Sequence, residues 1–153
     1  RKQMAQLLKL KTSGATQFID TGTQNVLYTS NITSVGYNEL SVRNISISSS
    51  QNLAWEVFLF SKDTFNTASV DTDTCIGRIA FDAADGVQFG GAGNYFYSSM
   101  ESTFNSGGNV GVPYMDEDNS KELHIGLVNR TATVKQSGTY SPVAITFLVE
   151  GVR

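Results

Sequence analysis

The sequence predicts an all-β chain, an antiparallel β-sandwich of jelly-roll-like or immunoglobulin-like type with about eight strands and long loops. Three observations carry that prediction. Apolar residues alternate at a period of two, most cleanly at Leu123, Ile125 and Leu127 and again at Val143, Ile145, Phe147 and Val149. A helical period is almost absent, and Gly, Asn, Ser and Thr punctuate the chain at short intervals. Finally, five of the seven residues from Ala54 to Phe60 are large and apolar, with the β-branched and aromatic types that suit a pleated sheet.

Arg1 to Lys11 holds four positive charges, Arg1, Lys2, Lys9 and Lys11, with no acid before Asp20. Met4, Leu7 and Leu8 fit helical spacing, whereas Leu8 and Leu10 alternate with Lys9 and Lys11, so we expect residues 1–12 to be a basic arm or first strand. Residues 13–153 are expected to form a single β-sandwich domain. From Ala15 to Leu40, short apolar groups (Phe18-Ile19, Val26-Leu27-Tyr28, Ile32) are separated by turn residues. Between Glu39 and Ser48, Leu40 and Val42 share one parity and Ile45 and Ile47 the other. No uninterrupted strand buries all four on one face, so a β-bulge is expected near Arg43 or Asn44, or else cover on both sides.

The central strand follows. Trp55, Val57 and Leu59 point one way and Glu56, Phe58 and Phe60 the other. Burying the Trp55 ring contributes at most about 4 to 5 kcal/mol, from roughly 150 to 250 Å² of area. The opposite face, two Phe beside a Glu, needs cover from a loop, a further segment or another subunit. Ser61 to Thr74 is a long polar loop of the kind that carries binding. Cys75 to Phe81 reads as a strand with Cys75, Ile79 and Phe81 on one face. Asp85-Gly86 turns the chain, Gly90 to Gly93 leads into Asn94-Tyr95-Phe96-Tyr97, and Ser98 to Gly111 is again loop-like.

At 153 residues the chain has the length of one domain, able to bury roughly 68 to 70% of its unfolded surface. A net charge of -3 argues against a nucleic-acid binder, and no apolar run is long enough for a membrane helix. Cys75 is alone, which excludes an internal disulfide and a cysteine zinc site. Only 16% of residues are charged, and hydroxyl and amide side chains take their place, a surface suited to cover by partners. Arg1 in place of an initiating Met leads us to expect residues ahead of it.

No catalytic constellation is evident, and we expect neither an enzyme nor a cofactor. His124, the one histidine, faces away from Leu123, Ile125 and Leu127, and no Gly-x-Ser-x-Gly elbow accompanies it, so a structural histidine is expected. Asp63, Asp73, Asp116 and Glu117 lie in loops, where an acid pair would need a separation that sequence does not give. Asp71 with Asp73, and Asp116 with Asp118 and Asn119, place hard oxygens at alternate positions as Ca²⁺ requires, without completing an EF-hand. No metal is expected, these four acids being the candidates should one bind. Asn31, Asn44 and Asn129 each begin an Asn-x-Ser/Thr triplet.

The order Val57-Phe58-Leu59-Phe60, an acidic loop, Asp73-Thr74-Cys75-Ile76-Gly77-Arg78-Ile79-Ala80-Phe81, Val112-Pro113-Tyr114, Leu123 to Arg130 and a closing apolar strand resembles the β-sandwich capsid decoration, or cement, proteins of tailed bacteriophages. The resemblance runs from Leu53 to Val149. It implies a non-catalytic virion protein made in the bacterial host cytoplasm. It further implies docking on the outer capsid surface, commonly as a trimer, with the major capsid protein and copies of itself as partners. Arg1, Lys2, Lys9 and Lys11 would then approach the shell, and Phe58, Phe60, Tyr95 and Tyr97 would be contact residues. An alternative from a different class is a glycan-binding module, such as a viral receptor-binding head, in which Tyr95, Phe96, Tyr97 and Tyr114 stack on sugars. Ordinary strand packing accounts for the same rings.

Overall fold

The computed structural model describes residues 7–13, 18, 23–63, 72–91, 93–99, 112–131 and 143–152. Two antiparallel sheets face one another, as the alternating pattern predicts. In the first, β1 (Leu7–Lys11), β10 (Ala144–Gly151), β3 (Glu39–Ser49), β7 (Tyr95–Ser98) and β6 (Val87–Gln88) follow in that spatial order, and β8 (Val112–Met115) pairs beside the first half of β3. The second runs β2 (Leu27–Thr33), β9 (Glu122–Asn129), β4 (Trp55–Phe60) and β5 (Cys75–Phe81). That makes ten strands among the described residues, above the expected eight because β6 and β8 are too short to show a period.

The expected bulge is present. Leu148 of β10 pairs with Asn44 and Val149 with Val42, so Arg43 is the extra residue. The single insertion reverses the phase of β3, and Leu40, Val42, Ile45 and Ile47 all turn inward, each no more than 5% exposed. Arg43 stays outside, 3.8 Å from Glu150.

Trp55, Val57 and Leu59 enter the core as their parity predicts. They meet Ile145, Phe147 and Val149 of the other sheet in one apolar cluster that also takes in Phe81, Leu123, Ile125 and Leu127. Of the covers expected for the opposite face of β4, the chain's own segments supply the one over Phe60, which rules it out as a partner contact. Phe60 is only 2% exposed, sealed by the protein's own chain, and Phe58 is half-buried. Gly126 is the reason. A Cβ there would lie 2.7 Å from Leu27 Cδ1 and 2.9 Å from Phe60 Cε2, so its missing side chain lets Leu27 and Phe60 close over β9. Phe58 stacks on Phe60 with ring centres 6.3 Å apart. Phe60 is therefore withdrawn from the partner-contact residues.

Candidate functional site

The turn between β8 and β9 is built around one carboxylate. Asp116 N–H donates to Asn38 O at 2.8 Å as the chain leaves β8. Its side chain then collects four donors. Oδ1 accepts from Asp118 N at 3.0 Å and from His124 Nε2 at 2.9 Å, and Oδ2 accepts from Ser120 Oγ at 2.7 Å and Glu122 N at 3.1 Å. An Asp that bonds the backbone two residues on forms an Asx-turn, which is why a short polar run suffices to reverse the chain here. Burial alone raises the Asp116 carboxyl, but the bonds from Ser120, Glu122, His124 and Asp118 outweigh it and hold the group at about 2.

His124 is 0% exposed, although it lies on the outward side of β9. Its Nδ1 is 2.8 Å from Asn31 Oδ1 on β2, while Nε2 faces Asp116 Oδ1 at 2.9 Å and Asp118 Oδ2 at 3.7 Å. Phe60 is its register partner on β4 and walls it from that side. Its backbone N–H donates to the Tyr114 hydroxyl at 2.9 Å, and that hydroxyl donates to Phe60 O at 2.8 Å, with Glu122 O at 3.2 Å. Burial pushes the Tyr114 hydroxyl well above the ordinary phenol range. Two further bonds tie the end of β4 to the same turn: Ser61 Oγ to Glu117 Oε2 at 2.6 Å, and Asp63 N to Asp118 Oδ2 at 2.6 Å.

The ligand atoms of Asp116, Asp118 and His124 lie within 4.8 Å of one another. This set of one nitrogen and two oxygens does not match the six to eight oxygens of Ca²⁺. Ser120, the hydroxyl nearest in sequence, gives its proton to Asp116, not to the imidazole, so the knot does not present an activated nucleophile. The sequence pairs Asp116 with Asp118 but leaves His124 apart, offers Asn31 only as the start of an Asn-x-Ser/Thr triplet, and gives no signal for Ser120. Asn31 is 93 positions from His124, and no spacing rule connects them.

The outward face of the six-stranded sheet is the second feature. In register across it run Lys9, Leu148 and Asn44; then Lys11, Thr146, Ser46 and Ser98; then Ala144, Ser48, Phe96 and Val87. Its middle therefore carries hydroxyl and amide groups beside Leu148 and Ala144, with the Arg43 and Glu150 ion pair farther along the same two strands. Lys9 and Lys11 are exposed along one edge strand. At the opposite edge Val87 is 49% exposed and Phe89 76%, and Phe89 packs on Phe96 with ring centres 5.6 Å apart. Met115 and Leu148 add further exposed apolar groups.

The remaining expected site residues fall as follows. Tyr97 is 0% exposed; its hydroxyl accepts Leu53 N–H at 3.0 Å and donates to Asn52 Oδ1 at 2.7 Å, and burial pushes it up to about 12. It is a core residue and is withdrawn from the contact and sugar-stacking residues, as is buried Tyr114. Tyr95 is half-buried and packs against the core cluster. Asp73 sits in a 3-10 turn, Thr72–Thr74, and is not part of the acid-histidine group. Arg1, Lys2 and Asp71 lie outside the described residues, as does most of Ser98 to Gly111. The three Asn-x-Ser/Thr triplets are built into the fold: Asn31 holds His124, Asn44 accepts from Ser98 and Ser99, and Asn129 is 0% exposed.

No protein-family model matches the chain, and no curated protein matches it.

Proposed function

We propose that the chain is a non-catalytic assembly module that docks, through the outward face of its six-stranded sheet, on a repeated protein surface. Within that class we favour the outer shell of a bacteriophage head, the chain acting as a capsid decoration protein. One observation carries the reading. A face whose centre is rich in hydroxyl and amide groups, Ser46, Ser48, Thr146 and Asn44, runs between two exposed lysines and an exposed apolar edge at Phe89 and Val87. Such a face desolvates cheaply in its middle, because neutral groups lose less hydration than charges. The lysines favour an acidic partner surface. Weak individual contacts suffice on a lattice, since linked copies re-bind at high effective concentration.

Co-sedimentation with phage heads that lack the native protein tests this, alongside a glycan array. The reading expects binding to heads that weakens as salt rises, and no glycan signal. A chain that ignores heads and binds sugar through the Phe89 and Phe96 shelf would overturn it in favour of the lectin alternative.

A further inference from the structure

We propose that His124, Asp116 and Asp118 form a binding site for one divalent transition ion of the Zn²⁺ class, with Asn31 as its supporting residue. The inference is independent of the docking face. It starts from the ring nitrogens. Nδ1 faces Asn31 Oδ1 at 2.8 Å, the contact through which a metal-binding histidine commonly gives its other ring N–H to an oxygen. Nε2, fully buried, can then trade the proton of its Asp116 bond for a metal ion. It is aimed at two carboxylate oxygens, 2.9 Å and 3.7 Å away, which are acceptors. One nitrogen and two oxygens thus converge on a point that a cation can fill, buried on the His124 and Asp116 side.

The surroundings favour a metal ion in that role. A metal-binding histidine ordinarily gives its other ring N–H to an oxygen, the part Asn31 plays. Asp116 Oδ2 is occupied by Ser120 and Glu122, and Oδ1 keeps Asp118 N, which leaves one lone pair on the side of His124. Asp118 Oδ2 is steadied by Asp63 N at 2.6 Å. Ligands at about 2.0 to 2.2 Å from a tetrahedral ion stand about 3.3 to 3.5 Å apart. The observed separations of 2.9 and 3.7 Å bracket that range. Asp118, whose side chain is 34% exposed, marks the side open to solvent and to a water as fourth ligand.

The test uses the full chain, free of affinity tags and stripped with chelator. Zn²⁺ is titrated by calorimetry, and Co²⁺ is added in its place for its visible absorption. We expect one equivalent bound, a thermal midpoint that rises with Zn²⁺ concentration, and Co²⁺ bands of a low-coordinate nitrogen and oxygen site. Asp118→Asn retains an acceptor for Asp63 N–H and should fold, with binding weakened more than about ten-fold; Asn31→Ala should weaken it about 10- to 100-fold. Absence of heat and of Co²⁺ bands would leave a proton as the only cation in the knot and overturn the proposal. So would an Asp118→Asn chain that binds as tightly as the wild type.

Discussion

The hydroxyl of Tyr114, carried by one sheet, accepts the backbone N–H of His124, carried by the other, at 2.9 Å. The same oxygen donates to Phe60 O at 2.8 Å, so a single buried side chain satisfies polar groups on two strands of the facing sheet. Tyr114→Phe keeps the ring and removes both bonds. A buried N–H and a carbonyl lose this partner, which should cost about 1 to 3 kcal/mol of unfolding free energy. Urea denaturation reads the loss as a lower midpoint at unchanged slope.

Gly126→Ala places a methyl against Leu27 and Phe60. Both neighbours meet it with the far ends of their side chains, so they yield partly, and the cost should be about 1 to 3 kcal/mol, toward the lower end. A thermal melt checks it. The Phe58 and Phe60 pair should loosen in the same variant, seen as faster hydrogen exchange along β9.

Deleting Arg43 removes the bulge and not merely a charge. Without the extra residue, Leu40 and Val42 return to the parity of the outward face, or Ile45 and Ile47 do. Exposing two such side chains costs about 3 to 6 kcal/mol, at 1.5 to 3 each. That is a large part of the roughly 5 to 15 kcal/mol available to a domain. The deletion should lower the thermal midpoint by more than either Tyr114→Phe or Gly126→Ala, whereas Arg43→Ala should melt close to the wild type, both read by circular dichroism.

Glu56 bridges two arginines, with Arg78 Nε at 2.9 Å and Arg130 Nε at 3.1 Å. Burial raises its carboxyl, but the bonds and charges of Arg78 and Arg130 outweigh that and set it below the usual glutamate range. A lowered carboxyl contributes stability that is complete above its unfolded value of 4.5 and is lost as pH falls through the folded one. Wild type should exceed Glu56→Gln by less than about 1 kcal/mol at pH 7, the arginines being exposed. The difference should vanish on acidification below that window, as read by denaturant titrations at several pH values.

Sequence legibility followed the range of the physics. The bulge was readable because Leu40, Val42, Ile45 and Ile47 sit within one strand, where a phase conflict has one local remedy. The inward face of β4 was readable for the same reason. Tyr97 was misplaced because in Tyr95-Phe96-Tyr97 alternation gives two faces without saying which is inward; the core and Asn52 decide that. Phe60 was misplaced because its cover depends on a glycine far along the chain, on β9. His124 was read to the correct side of its strand, but its burial comes from Asn31, Phe60 and Asp116, which only the folded topology brings together.

The docking face is tested most directly by binding curves on phage heads for the wild type and a Lys9→Glu, Lys11→Glu, Ser46→Arg triple variant. All three positions lie on the outward face, so the variant should fold and melt as the wild type does. The account predicts that it loses binding to heads at least ten-fold while its melting midpoint stays put. A triple variant that decorates heads as tightly as the wild type would contradict it.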